Sequence, residues 1–215
     1  MPHVVITGAS RGVGAALAAQ YRDAGWQVTG TSTSGGDGLV ALDVTDPDGF
    51  GALKEAVGDA PVDLLVANAG IYEDKGMSLG SGYPADLWAQ TFAVNVTGVF
   101  LTVQALLSNI EAAKGRIAII SSQMASDEKA PGGSYIYRAS KAASLNLGRN
   151  LAQDLAGRGI AVGIYHPGWV RTDMGGGGAD ISPEEAAAGL SREFERLSLQ
   201  TTGAFRTWDG RDHPF

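Results

Sequence analysis

A strand, a glycine-rich turn and a helix open this chain, and that succession limits the fold more than any other feature. His3-Val4-Val5-Ile6-Thr7 is a short apolar run broken by Gly8. Gly12 to Ala24 carries Val13, Leu17 and Tyr21 at helical spacing, and Gly25 suits the helix's C-terminal cap. Between them runs Thr7-Gly8-Ala9-Ser10-Arg11-Gly12-Val13-Gly14, spaced Gly-x-x-x-Gly-x-Gly. Glycines allow a tight turn and a close approach of backbone to a pyrophosphate. The helix start behind them offers unpaired N–H groups and a positive dipole end to such an anion. A nucleotide hydrolase of the P-loop kind is excluded, because Arg11-Gly12-Val13-Gly14 lacks the Gly-Lys-Ser/Thr ending.

The alternation continues. Gln27 to Thr31 reads as a second strand, Val62 to Val66 as a third, Arg116 to Ile120 as a fourth and Ile160 to Tyr165 as a fifth, with a last strand within Gly203 to Trp208. Helical patterns fall between them: from Asp46-Pro47 with Phe50, Leu53 and Val57 on one side, from Pro84 to about Ile110, and from Tyr135 to Ala156. Ser182-Pro183-Glu184-Glu185 is a helix start with an N-cap serine, a proline at the first position and acids in the first turn. Strands alternating with helices predict an α/β fold, a single Rossmann-like doubly wound parallel sheet of about seven strands with helices on both faces. The 215 residues suit one domain, residues 1–215, without tandem repeats or a long linker.

The formal net charge of -7 argues against an electrostatic nucleic-acid or membrane binder. Without cysteines there are no disulfides, thiol chemistry or cysteine-ligated metals, and His3, His166 and His213 form no spaced metal-ligand set. No apolar run reads as membrane-spanning and the start lacks a signal pattern, so the chain reads as cytoplasmic.

Tyr137 and Lys141 stand four apart on a helix, which puts both side chains on one face. A phenol titrates near ~10 in water, and a fixed ammonium beside it favours phenolate, which makes an acid/base poised closer to working pH. Tyr135 lacks such a lysine and reads as pocket wall or packing. Ser121 and Ser122 close the fourth strand.

Five segments, in order, resemble the short-chain dehydrogenase/reductase family: Thr7 to Gly14, Asn68-Ala69-Gly70, Asn95, Ser121-Ser122, and Tyr137 with Lys141. Tyr137 to Ala143 and Pro167-Gly168-Trp169-Val170-Arg171-Thr172-Asp173-Met174 look most like its C-factor/sniffer-type carbonyl reductase branch. The resemblance implies strand order 3-2-1-4-5-6-7 and a reaction between a nicotinamide cofactor and a carbonyl or alcohol. It makes Tyr137 the proton donor, and gives Lys141 the tasks of lowering the phenol's pKa and holding the nicotinamide ribose. A serine closing the fourth strand stabilises the substrate oxygen, and Asn95 holds a water that relays protons from Lys141. Ser122 fits the family frame better, with Ala125 in a place often held by Gly; Ser121 then caps the strand or packs below.

For the cofactor, the resemblance implies contacts from Gly8, Ser10, Arg11, Gly12, Val13 and Gly14. It sets Asp43 and Val44 against the adenine and adds Asn68, Ala69 and Gly70. Pro167, Gly168, Val170 and Thr172 would hold the carboxamide. NAD-preferring sites carry an acid at the end of the second strand. Here Thr31, Ser32 and Thr33 stand in that place, with Arg11 nearby to pair with a 2′-phosphate, so NADP(H) is preferred over NAD(H). Asp37 is the rival acid if the second strand ends later. His166 reads as structural, and the short Gly175-Gly176-Gly177-Gly178 segment suggests a flexible border and an open site.

These features together predict an NADPH-dependent reductase of small aldehydes or ketones; a regulatory dinucleotide-binding protein with little turnover is the alternative. The resemblance leaves a homodimer open, through the helices that begin at Pro84 and Tyr135. Neither the substrate nor the direction of reaction follows from the sequence.

Overall fold

A computed structural model describes residues 1–215. One seven-stranded sheet runs through it in the order β3-β2-β1-β4-β5-β6-β7, with every pairing between these strands parallel. The strands are β1 (His3–Ile6), β2 (Gln27–Ser32), β3 (Val40–Ala41), β4 (Leu64–Ala67), β5 (Arg116–Ile120), β6 (Ala161–His166) and β7 (Phe205–Thr207). The helices are α1 (Gly12–Asp23), α2 (Phe50–Val57), α3 (Ala85–Phe92), α4 (Gly98–Ala113), α5 (Tyr135–Ala156) and α6 (Pro183–Arg196). The order is the one the sequence implied. The strand that pattern reading missed is β3, two residues long and too short to show a period.

Successive strand residues point to opposite faces, and the two cores divide accordingly. Val5, Leu65, Ile117, Ile119 and Val162 face one way, against Phe50 and Leu53 of α2, Val103 and Leu106 of α4, and Leu155 of α5. Val4, Ile6, Val66, Ala118 and Tyr165 face the other way, against Leu17 and Tyr21 of α1 and Leu190 and Phe194 of α6. Each fully buried aliphatic or aromatic side chain contributes roughly 1.5–3 kcal/mol. Truncating one such as Leu106 to alanine costs about 2–5 kcal/mol.

The long helical stretch from Pro84 departs from expectation twice. It is broken by a π-turn at Ala93–Thr97, so α3 and α4 are two helices joined at a bulge. Taken as one, Ala85–Ala113 is 29 residues, long and apolar enough by length and composition to cross a membrane, which corrects the reading that no segment is. Scattered Thr, Asn and Gln residues hid that continuity. In the fold this stretch packs on the sheet through Val99, Val103, Leu106 and Ile110.

Helix α6 begins as its sequence predicts. Ser182 Oγ accepts from the Glu185 N–H at 3.1 Å, and the Ser182 N–H donates to Glu185 Oε2 at 2.7 Å. Such a capping box contributes about 1 kcal/mol.

Candidate active site

The strand order reverses at β1, where β2 lies on one side and β4 on the other. Open parallel sheets form a crevice at such a point, outside the strands' carboxyl ends. Here it is a cavity of about 880 Å³.

The glycine turn forms one end, with Gly8, Ser10, Arg11, Gly12, Val13 and Gly14 all on the cavity wall. A Cβ on Gly14 would lie 2.2 Å from the Gly8 carbonyl oxygen and 2.6 Å from Asn68 Nδ2, so only glycine lets the turn close. Helix α1 has no side-chain cap and no acid in its first turn. Its free N–H groups and dipole therefore suit an anion, and the turn fits a dinucleotide's diphosphate. Asn68 locks the turn to β4: its Nδ2 donates to the carbonyls of Thr7 at 2.9 Å and Gly8 at 3.1 Å. Thr7 Oγ1 in turn accepts from the N–H groups of Asn68 and Ala69. Asn68, Ala69 and Gly70 line the cavity beyond this lock.

Thr31, Ser32, Thr33, Asp43 and Val44 border the same end. Strand β2 ends at Ser32, and Asp37 lies in the loop beyond it at φ 53, outside this cavity. The strand thus ends one residue later than the predicted Thr31 and still stops short of Asp37. Arg11 is not free: its guanidinium donates to Asp173 at 2.6 Å, both side chains being 79% exposed. Asp43 accepts from the Thr45 N–H and hydroxyl at 2.9 and 2.7 Å.

Pro167, Gly168, Val170 and Thr172 form the opposite wall. The glycine segment after them is tied down at its start, whereas Gly177 and Gly178 stand exposed. Trp169 Nε1 donates to the Gly175 carbonyl at 2.9 Å, the Gly175 N–H to Thr172 Oγ1 at 3.1 Å, and Lys75 Nζ to the Met174 carbonyl at 3.2 Å.

Ser122, Tyr137 and Lys141 all line this cavity. Burial pushes the Tyr137 phenol up to about 12; the Ser122 side chain acts the other way, and Tyr72 and Asp74 add to the rise. Lys141 is buried behind it, and desolvation pushes its ammonium down to about 8. Burial thus sets the direction for both groups in the chain by itself. Its Nζ stands 5.8 Å from the phenol ring's centre and donates to the Ile120 carbonyl at 3.0 Å. The two adjacent serines separate: Ser121 Oγ donates to the Lys141 carbonyl at 3.0 Å, whereas Ser122 Oγ accepts from the Met124 N–H at 3.1 Å beside the phenol. Tyr135 stands half-exposed, edge-on to Tyr83.

Asn95 sits in the π-turn, fully buried and off the cavity wall. Both hydrogens of its amide are committed, to the Ile71 carbonyl at 3.0 Å and to Ser140 Oγ at 2.9 Å. Its Oδ1 accepts from the Ile71 N–H at 2.9 Å, which leaves one lone pair for a water. A Cβ on Gly70 would lie 3.2 Å from both Asn95 Oδ1 and Lys141 Nζ, so the absence of a side chain there keeps the two within reach of each other. His166 packs edge-on to His213, and burial drives it down to about 4, which suits a neutral structural ring.

Sequence reading passed over Tyr72 and Asp74. The Tyr72 ring stacks on Tyr137 at 4.2 Å and 23°, and its hydroxyl lies 2.6 Å from Ser134 Oγ. Their one signal was position, directly after Asn68-Ala69-Gly70 at a strand's carboxyl end.

Known proteins share this architecture. The profile of the short chain dehydrogenase family matches residues 2–180. The chain is 35% identical over 157 residues to C-signal of Myxococcus xanthus, covering 72% of this chain and 93% of that one. A carbonyl reductase from Pseudomonas aeruginosa PAO1 superposes with a TM-score of 0.89 at 30% identity, over 100% of both chains. The NADPH-bound carbonyl reductase from chicken fatty liver gives a TM-score of 0.88 at 26% identity, over 100% of this chain and 99% of that one. Motif order, sheet order and these similarities agree, and the chain belongs to the short chain dehydrogenase family of oxidoreductases.

Proposed function

We propose that this chain, acting as one unit, reduces an aldehyde or ketone to an alcohol with NADPH. The observation that carries this reading is the meeting of Ser122 and Tyr137 on the wall of the cavity that the phosphate-binding turn opens into. Tyr137 donates its proton to the carbonyl oxygen. Ser122 hydrogen-bonds that oxygen and stabilises the charge that develops on it. Reduced nicotinamide, when bound, supplies hydride to the carbonyl carbon. Lys141 holds the ribose hydroxyls, and its ammonium, already easy to deprotonate, passes a proton inward to restore the phenol. Asn95 serves that exchange by positioning Ile71 and Ser140 and by the lone pair left on Oδ1. The same groups run the reverse reaction.

The cofactor preference rests on Thr31, Ser32 and Thr33 at the end of β2, where no carboxylate repels a 2′-phosphate, and on Arg11 nearby. The similar reductase from chicken fatty liver has NADPH bound, which supports the same choice. Two copies associating through α4 and α5 fit the 43% exposure of Phe100 on α4, and light scattering tests it.

The deciding experiment is NADPH oxidation against a panel of carbonyls, repeated with NADH. Turnover with NADPH supports the reading. Tight NADPH binding with no turnover on any carbonyl supports a regulatory binder instead, a reading favoured by the similarity to C-signal.

A further inference from the structure

The helix that carries Tyr137 begins in an unusual way. Its N-cap, Ser134, is left-handed at φ 46 and ψ 45 and makes no side-chain cap. Ser134 Oγ is instead engaged by the Tyr72 hydroxyl. The first N–H groups of a helix need partners, and a serine in this place ordinarily supplies one.

The partner comes from 62 residues earlier. Asp74 Oδ2 accepts from the Ile136 N–H at 2.9 Å, and the Tyr137 N–H lies 3.3 Å from Oδ1 and 3.4 Å from Oδ2. Asp74 is 1% exposed and has no cationic side chain within ion-pair distance. The neighbouring Lys75 turns away to the Met174 carbonyl. A buried carboxylate without a counter-ion is costly. A neutral serine or asparagine would cap the helix at lower cost. The charge is compensated only by the N–H groups and dipole at the start of α5.

We propose that Asp74 is a positioning residue of the active site: it caps α5 from the β4–α3 loop, fixes Tyr137 through its own backbone N–H, and places a negative charge beside the phenol. The inference rests on the reading of Tyr137 as proton donor. Four groups face this phenol. Ser122 comes from the end of β5, Tyr72 and Asp74 from the β4–α3 loop, and Lys141 from the same helix. Burial is what chiefly raises the phenol, and Asp74 adds to that rise in the same direction as Tyr72 and against Ser122, towards the protonated form that reduction requires. Tyr72 adds a flat wall on the ring, so one short loop controls the phenol's place, orientation and charge.

Asp74→Asn and Asp74→Ala separate the cap from the charge. Asparagine keeps an oxygen that reaches both N–H groups but carries no charge; alanine removes both. The phenol is read directly from the ring-carbon NMR signal of labelled tyrosine, assigned with Tyr137→Phe, and kcat and KM are measured across pH. In Asp74→Asn the Tyr137 titration moves down by roughly half a unit, and the alkaline fall of the reduction rate moves with it. In Asp74→Ala kcat drops tenfold or more with KM for NADPH little changed, and Asp74→Asn recovers most of that loss at neutral pH. If Asp74→Ala does not fold, Asp74→Asn carries the test alone. An unmoved titration in Asp74→Asn, or a kcat within twofold of the parent in Asp74→Ala, overturns the proposal. A titration that moves while the rate ignores it supports the charge beside the phenol and sinks the proton-donor role of Tyr137 instead.

Discussion

Ser121 and Lys141 bind the end of β5 to α5 by a reciprocal pair of contacts. The Ser121 hydroxyl donates to the Lys141 carbonyl, and the Lys141 ammonium donates to the carbonyl of Ile120, the residue before Ser121, each at 3.0 Å. The lysine is thereby held under the phenol by a backbone group that substitution cannot remove. Ser121→Ala loses one neutral hydrogen bond, about 1 kcal/mol, and should lower Tm while leaving most of the turnover. Ser122→Ala loses the bond from the Met124 N–H and should lower Tm by a similar amount, but it should also cut kcat a hundredfold or more. Steady-state kinetics and thermal unfolding on both variants check this, and the reverse order would exchange the two roles.

Tyr137→Phe removes the transferable proton and little else. Turnover should fall by roughly two to four orders of magnitude, the range expected for loss of a general acid. NADPH affinity, read by fluorescence titration, should change less than threefold. Activity equal to that of the parent would reject Tyr137 as the acid.

Arg11 has two claimants, Asp173 in the free chain and a 2′-phosphate in the proposed complex. Arg11→Ala should weaken NADPH by about ten- to a hundredfold, from the loss of one charged hydrogen bond, with NADH little changed. The ion pair is so exposed that Asp173→Asn should leave Tm unmoved. It should tighten NADPH a few fold by releasing the guanidinium. Paired titrations of both cofactors decide, and equal weakening of both in Arg11→Ala would make Arg11 a loop charge only.

Lys141 gives the stability of the fold a pH dependence of unusual sign. Its ammonium titrates at about 8 in the folded chain against 10.5 for the ordinary group. Between those values the unfolded chain holds more protons, so this site makes the protein more stable as pH rises from about 8 to 10.5. Below about 8 both states are protonated and the burial penalty is felt in full. Denaturant melts of the parent and Lys141→Met should show the parent gaining on the variant across that window; a constant difference would mean that the ammonium is not desolvated.

Gly14→Ala should be the most damaging single-methyl change in the glycine turn. Its Cβ would meet a backbone oxygen at 2.2 Å, so the turn must open. Loss of NADPH binding with a Tm drop of several degrees is expected. A variant that binds normally would show that the turn relaxes at little cost.

What the sequence made legible was whatever depends on local pattern. The glycine turn, the Ser182 capping box and the span of α5 could be read because spacing alone specifies them. Strand β3 has two residues and no period, and the π-turn at Ala93–Thr97 leaves the apolar pattern intact while altering only the hydrogen-bond ladder. Asp74 was illegible for another reason. Capping signals are sought beside a helix, and this cap arrives from a distant loop. The Lys141–Tyr137 relation was legible as a shared face, but the burial that moves both groups was not, because it depends on what distant elements pack around them.

The strand order carries a consequence for synthesis. Strands β1, β2 and β3 extend the sheet in one direction; β4, β5, β6 and β7 then extend it in the other, each laid beside its predecessor in the chain apart from β4, which takes the open edge of β1. No strand must be inserted between two already in place. A chain leaving the ribosome at about 5–20 residues per second can therefore add each strand to an existing edge as it emerges. The cavity is completed late, since Thr172 packs against the glycine turn formed at the chain's start, close enough that a Cβ on Gly12 would lie 3.1 Å from its methyl group. A nascent chain would thus expose its first phosphate-binding half for most of translation, and gain its full grip on a cofactor only in the last seconds.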